Sequence, residues 1–600
     1  MNMVIGLFVI LLLCSGGLLF ELSREQRKEQ NDTLRRRQQQ QKKQQDINKN
    51  SNKIEEVKLP IIKGVTNEDN NNNRNKIEIV KLPIIKGVTN EDNNNNRNKI
   101  EEVKLPIIKG VASVPSHFLP QIPYDPIFPT IPNGDELASR TIDGSHPTLA
   151  GIFSILSTFL IELYRADQEL LHREQPKAEK ALALFFDVAD EYIRPFENQY
   201  RGKSIFPIRE DESLFLSLAA YREHLLSDTL TYAYGRAKHP EKLFVGAVVQ
   251  NCFGRILNDD DYRYVDIKGQ PCKTGLEVIG QVAGQDQTKM SDAPPDKNGI
   301  LDFCTSELGK PICDRGQIRV LYVHSSGSLG PAMARYHASK LWGGETYFVQ
   351  TDSHLQFANE WDDKYIQEIK TTRNFPKSVL SSYPPGFQGH TSDDLPSVKE
   401  TNGARLCTCE TKPEPHPIIR INTGTGYRGN ETRPTQIPFI AAGFFFARAE
   451  FLIDVPFDPF LPWCFMGEEI ALSIRAWTSG WDIYAPRKNL IAHQYRPGKM
   501  GMPKFWESVN QFWHKPGISN RMTGMVVQRV KNMVKYPDSS YERIRNRNQE
   551  VVLMDIDQYG MGNIRTWQEY MDFAELYIDI QAEAIMCSKT IGWCNEGLKD

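Results

Sequence analysis

The sequence predicts an α/β fold, placed behind a hydrophobic N-terminal segment and a low-complexity stem. Three observations predict it. Buried-strand runs alternate with helical segments from Asp211 onward, one strand ends directly in Thr351-Asp352-Ser353-His354, and the first part of the chain is too polar and repetitive to build a core. The mean hydropathy of -0.47 averages that polar front with an apolar back. The formal net charge of -3 gives no sign of a nucleic-acid surface, and the Lys/Arg clusters near the N-terminus sit among Gln and Asn as solvated tail.

Residues 1–22 hold an apolar run, Met3 to Phe20, whose length of about 18 residues is near the lower limit for spanning a bilayer. A cleaved signal peptide, with small residues Ser15-Gly16-Gly17, is the competing reading. No Lys or Arg precedes the run, whereas Arg24, Arg27, Lys28 and Arg35 to Arg37 follow it. That bias favours a cytosolic downstream chain, although long domains are translocated against it. Residues 23–116 form the stem: K-L-P-I-I-K-G recurs at Lys58, Lys81 and Lys104, a 23-residue period separated by TNEDNNNNRNK. Each unit has one short apolar patch broken by proline, so disorder is expected rather than a solenoid. Residues 117–205 read as a proline-rich strap followed by helix, with Ile152, Ile155, Leu156, Phe159, Leu160 and Leu163 on one face. Glu162 and Arg165 interrupt the apolar stretch, which argues against a second membrane span.

Residues 206–600 are expected to be the catalytic domain. LFLSLAAY (Leu214–Tyr221), the helical SDTLTYAYGRA and KLFVGAVVQ make a β-α-β unit, which implies parallel neighbours. No G-x-G-x-x-G follows the first strand, so the dinucleotide fingerprint is absent. QIRVLYVH, a Gly/Ser turn, the helical AMARYHASKLW and ETYFVQ form a further unit. Asp352 and His354, two residues apart just past a buried strand, can chelate a divalent ion, and such an ion can neutralise a diphosphate leaving group. The triplet alone is weak, since Asp259-Asp260-Asp261 and Asp555-Ile556-Asp557 show how readily such patterns arise. Metallophosphoesterases also carry D-x-H at a strand end, but the G-D-x-x-D and G-N-H partners they need are missing after His354.

Gly443, inside PFIAAGFFFARAEFL, can permit close backbone approach to a ligand or be plain β-core. Gly467-Glu468-Glu469 precedes an amphipathic helix, where acidic residues also serve as ordinary dipole partners. His493 ends a later strand. The ten cysteines show no C-x-x-C zinc pattern. Cys407 and Cys409 stand too close to pair with each other, and Cys587–Cys594 is a possible disulfide.

Together, LFLSLAAYRE, GAVVQN, Gly330-Pro331-Ala332-Met333-Ala334-Arg335, LWGGETYFVQTDSHLQFANEWD, GFFFARAEFL, PFLPWCFMGEEIALSIRAWTSGWDIYAP and YGMGNIRTWQEY resemble glycosyltransferase family 60 over about residues 213–572. Its members are GlcNAc-transferases that modify hydroxyproline, serine or threonine. The resemblance implies a GT-A fold, a Rossmann-like nucleotide-binding sheet with an acceptor-side subdomain. It implies UDP-GlcNAc as donor, a divalent cation (manganese or magnesium), and a retaining transfer. Asp352, His354 and His493 match the metal ligands, Glu468 and Glu469 the acidic pair facing the donor sugar, and Tyr221, Arg222 and Arg335 the nucleotide contacts. The family's first-strand S-Y-R-D reads Ala220-Tyr221-Arg222-Glu223 here, which leaves the contact of Glu223 open.

The alternatives are another UDP-hexose transferase, a catalytically silent carbohydrate- or protein-binding relative, and a metal hydrolase. Family members act in the cytosol on hydroxyproline or in the Golgi on Ser/Thr. The hydrophobic start and stem resemble a Golgi type II membrane enzyme, while the flanking charges favour the cytosolic side. Asn31-Asp32-Thr33 and Asn430-Glu431-Thr432 permit N-glycosylation in a lumenal location.

Overall fold

The computed structural model describes residues 148–173, 175, 177–251, 254–255, 262–263, 298–387, 401–412, 418–429, 431–495, 505–506, 509, 512–513, 517–539, 550–588 and 590–596. The N-terminal apolar run, the repeats, the proline-rich strap and both glycosylation motifs' asparagines lie outside these residues.

A strand buried on both faces must be apolar at nearly every position, and LFLSLAAY meets that condition. In Leu214–Tyr221 (β1), Leu214, Leu216, Leu218 and Ala220 join one buried cluster while Phe215 joins another. Leu243–Asn251 (β2), Ile318–His324 (β3) and Tyr347–Thr351 (β4) run parallel to it in the order β4-β1-β2-β3. The further strands of three residues or more are Leu355–Phe357 (β5), Ser378–Ser381 (β6), Thr408–Lys412 (β7), Ile418–Asn422 (β8), Thr435–Ile437 (β9), Phe444–Arg448 (β10), Asp482–Ala485 (β11), Ile491–His493 (β12), Leu576–Asp579 (β13) and Ala584–Cys587 (β14). The main sheet has eight strands in the order β9-β11-β6-β10-β4-β1-β2-β3. Strand β10 is antiparallel to both β4 and β6, so the sheet is mixed where the sequence alone pointed only to parallel strands.

Helices cover both faces, as a largely parallel sheet requires. Leu149–Arg173 (α1) and Ala178–Tyr192 (α2) share the cluster of Phe215 and Phe348 with Pro331–Ser339 (α4), Glu468–Thr478 (α6) and Ile518–Met533 (α7). Leu226–Gly235 (α3) and Trp361–Lys370 (α5) cover the other face. Among the described residues, α1 alone is long and apolar enough to cross a membrane. Its apolar residues Ile152, Leu156, Phe159, Leu160 and Leu163 are buried in the protein, and Glu162 and Arg165 pair at 2.6 Å on the other side. That is the pattern of an amphipathic core helix.

The cysteine expectation is corrected. Cys587 does not pair with Cys594: among the described residues the disulfides are Cys304–Cys313, Cys407–Cys594 and Cys409–Cys587. Residues two apart along extended chain point to the same side, and Cys407, just before β7, and Cys409, within it, both find partners in the segment after β13. The hairpins β7–β8 and β13–β14 are thereby stitched together through the bond from β7 to β14.

Candidate active site

The C-terminal ends of β1, β2 and β4 lie along one edge of the sheet, with Leu218 opposite Thr351 and Tyr221 opposite Gln250. Asp352 follows β4 directly. Its amide N–H donates to the Gly443 carbonyl at 3.3 Å, Ser353 Oγ donates to the Ala219 carbonyl at 3.2 Å, and Thr229 Oγ1 donates to the Ser353 carbonyl at 3.0 Å. The triplet is thus tied to β1, α3 and the residue before β10. Gly443 is not itself a strand residue; it precedes β10, and a Cβ there would stand 3.2 Å from Asp352 Oδ2. The glycine clears room for that carboxylate.

His493 arrives by a second route. Strand β12 pairs antiparallel with β5, setting His493 opposite Leu355, and the Gln494 N–H donates to the His354 carbonyl at 3.1 Å. The result brings one ligand atom each from Asp352, His354 and His493 within 4.8 Å of one another. His493 Nε2 stands 2.9 Å from Asp352 Oδ2, and the two imidazole centroids are 4.5 Å apart. His493 is buried, yet neither of its ring nitrogens makes a hydrogen bond of acceptable geometry. The short approach is therefore a convergence of two donor atoms rather than a well-aligned hydrogen bond. A divalent cation would satisfy both, and the residues present fit one. Burial would raise the Asp352 carboxyl, but His493, Arg335 and His354 outweigh it and hold the group well below the usual carboxylate range.

Arg335, from α4, reaches the same place: Nη2 donates to Asp352 Oδ1 at 3.2 Å and Nη1 to Glu468 Oε2. Burial disfavours its charge, yet Glu468 and Asp352 raise its pKa above the ordinary value. The two glutamates begin α6 behind Gly467, whose φ of +94° and lack of space beside Ile418 and Val530 require glycine. They do different things. Glu468 faces Arg335, with Gln350 Nε2 3.4 Å from its other oxygen. Glu469 accepts from Tyr383 Oη at 2.5 Å and from the Ala442 N–H at 3.0 Å. Burial, with Glu468 nearby, raises the Glu469 pKa despite those donors.

Tyr221 closes β1 and packs edge-on against Phe505, centroids 5.6 Å apart. Arg222 is buried with φ at +47°, and its N–H donates to the Gln250 carbonyl at 2.9 Å. A non-glycine residue held there is strained, as happens at ligand sites. Two neighbours escaped the sequence reading. Tyr383 lies just past β6, and Tyr495 stands 4.3 Å from the His493 ring, its hydroxyl donating to the Pro384 carbonyl at 2.8 Å. Their only sequence signal is position past a strand end.

A protein-family profile described as "Glycosyltransferase (GlcNAc)" matches residues 213–579, more than half of the chain. The chain belongs to the glycosyltransferase (GlcNAc) family. The match coincides closely with the blocks that carried the resemblance. No curated protein sequence matches it. Among solved structures, GalNAc-T7 with UDP, GalNAc and Mn2+ is similar at 12% identity and a TM-score of 0.33, over 64% of each chain. The match thus spans less than two thirds of that chain's length. Staphylococcus aureus TarS 1–349 with UDP is similar at 12% identity and a TM-score of 0.26, over 63% of this chain and 97% of that one. These two scores are too low to bear on fold or activity. For the glycosyltransferase (GlcNAc) family member described here, Asp352, His354 and His493 are the one group of three His, Cys, Asp or Glu residues among the described residues that could hold a metal. Among the described residues no second group of that kind stands beside it.

Proposed function

We propose that the chain is a GT-A-type, divalent-cation-dependent retaining transferase that moves GlcNAc from UDP-GlcNAc to a protein hydroxyl, of hydroxyproline or Ser/Thr. The observation that carries this is the convergence of Asp352, His354 and His493 beside Arg335 at the carboxyl edge of the sheet, in a member of this family. Two imidazoles with a carboxylate suit manganese better than magnesium, which prefers oxygen alone. When bound, the cation supplies Lewis-acid neutralisation of the leaving diphosphate. Arg335 adds a second, fixed positive charge at the same place, stabilising the developing anion. Tyr221 and Arg222, at the end of β1, are the proposed nucleotide contacts.

Glu468 and Glu469 orient the sugar and its surroundings. Glu468 is paired with Arg335, and Glu469 is held through Oε1 alone by Tyr383 and the Ala442 N–H, so both are assigned positioning roles rather than nucleophilic ones. That favours same-face displacement, in which holding the acceptor hydroxyl against the sugar carbon supplies much of the rate. The disulfides Cys407–Cys594 and Cys409–Cys587 favour an oxidising compartment, and so a lumenal catalytic region behind an anchor in residues 1–22.

The test is UDP-GlcNAc hydrolysis and transfer by the full chain with and without manganese, together with Mn2+ binding by calorimetry. Asp352→Asn is expected to abolish both. Full metal-dependent turnover in that variant would sink the assignment, and a glycosidase-induced shift at Asn430 would support the lumenal location.

A further inference from the structure

Glu223 stands just past β1 and is 2% exposed. Its Oε1 accepts the Leu225 N–H at 2.9 Å and lies 3.6 Å from His224 Nδ1. Its Oε2 lies 2.9 Å from Nδ1 of His354. Closing the turn at residues 223–225 needs one oxygen. A buried carboxylate is costly to desolvate, so the second oxygen's direction toward His354 calls for its own reason. An ionised carboxylate only accepts, so with Glu223 ionised the ring nitrogen facing it carries the proton. With the proton on Nδ1, Nε2 keeps its lone pair, which is the form in which an imidazole ligates a metal.

We infer that Glu223 is a positioning residue for the cation site: it holds His354 as the Nδ1–H tautomer and so presents Nε2 to a divalent cation beside Asp352 and His493. The inference rests on the cation-site reading above. The topology supports it, because β1 and β4 are parallel neighbours whose carboxyl ends bring residues 223 and 354 together, and a glutamate spans the gap.

The discriminating variant is Glu223→Gln. Its amide has one acceptor. The Leu225 N–H, fixed in the backbone, takes that oxygen, and the NH2 group then faces His354 Nδ1. That nitrogen must accept, so the ring proton moves to Nε2 and blocks ligation. Mn2+ is titrated into the full chain without sugar nucleotide, by calorimetry and by electron paramagnetic resonance of free Mn2+. Glu223→Gln is expected to bind about 10–100-fold more weakly, with unchanged far-ultraviolet circular dichroism. Asp352→Asn, measured in parallel, separates the two readings. If wild type binds, Asp352→Asn does not, and Glu223→Gln binds like wild type, the inference is overturned while the cation site stands. If wild type takes up no Mn2+, both are overturned. Should the glutamine variant fail to fold, the tautomer is read directly from long-range 1H–15N spectra of the wild-type chain labelled in histidine. The His354 signals are identified by their loss in His354→Asn. Protonation at Nδ1 supports the inference, and protonation at Nε2 alone overturns it.

Discussion

Replacing Gly443 by alanine adds one methyl group against the carboxylate that the cation would share. Its φ does not lie in the left-handed region, so alanine fits the backbone and the effect isolates to the side chain. The new Cβ would lie 3.2 Å from Asp352 Oδ2, whereas ordinary contact begins at 3.4 Å, so the oxygen must retreat by about 0.2 Å. It has little freedom to do so, because Oδ1 is held by Arg335 at 3.2 Å and Oδ2 faces His493 at 2.9 Å. Metal–ligand distances tolerate about ±0.2 Å. The displacement therefore reaches that tolerance, and a loss of about tenfold in Mn2+ affinity, ~1.4 kcal/mol, is expected. Calorimetric titration of Mn2+ into wild type and Gly443→Ala measures it, with thermal melting as the control for folding. Equal affinities in two equally stable proteins would refute the reasoning that the glycine exists to accommodate the carboxylate.

Tyr383→Phe removes a donor that lowers the Glu469 pKa against burial, so the pKa rises further and less carboxylate is present at a given pH. The acid limb of the kcat profile should move to higher pH, and an unmoved limb would show that Glu469 charge is irrelevant to turnover. Asp458→Asn breaks a pair with Arg529 whose side chains are 1% and 0% exposed, and leaves a buried cation that also holds the Val552 and Met554 carbonyls. A cost of about 3–5 kcal/mol is expected in urea unfolding; a loss under about 1 kcal/mol would mean that water reaches the arginine. Cys409→Ser opens a crosslink between residues 178 apart in sequence and should cost about 2–5 kcal/mol. Melting that is identical with and without reductant would contradict a structural role for the bond.

The strands β1 to β4 could be read directly, because double-sided burial imposes apolar runs and helical spacing separates them. Asp352 and His354 were legible for the same reason: the end of β4 is fixed by where the apolar run stops. His493 came through family resemblance, since its meeting with His354 depends on the β5–β12 register, which pairs residues far apart in sequence. The resemblance named Glu468 and Glu469 as a pair, but not that one faces Arg335 while Tyr383 locks the other. That division depends on where the end of β6 falls against the start of α6, a packing outcome that local pattern does not encode. Cysteine spacing misled for a similar reason. Cys587 and Cys594 are close in the chain, yet tertiary packing gives each a partner from around residue 408.

The two long-range disulfides bear on how the protein is made. Cys407 and Cys409 leave the ribosome well before their partners, with β10, α6 and His493 synthesised in between. Throughout that interval neither has its final partner, and the two stand two residues apart in the chain. A folding catalyst that shields or shuffles thiols would act on this chain at that stage. Yield in an expression host should therefore depend on its disulfide-isomerase capacity more than on the supply of metal or sugar nucleotide.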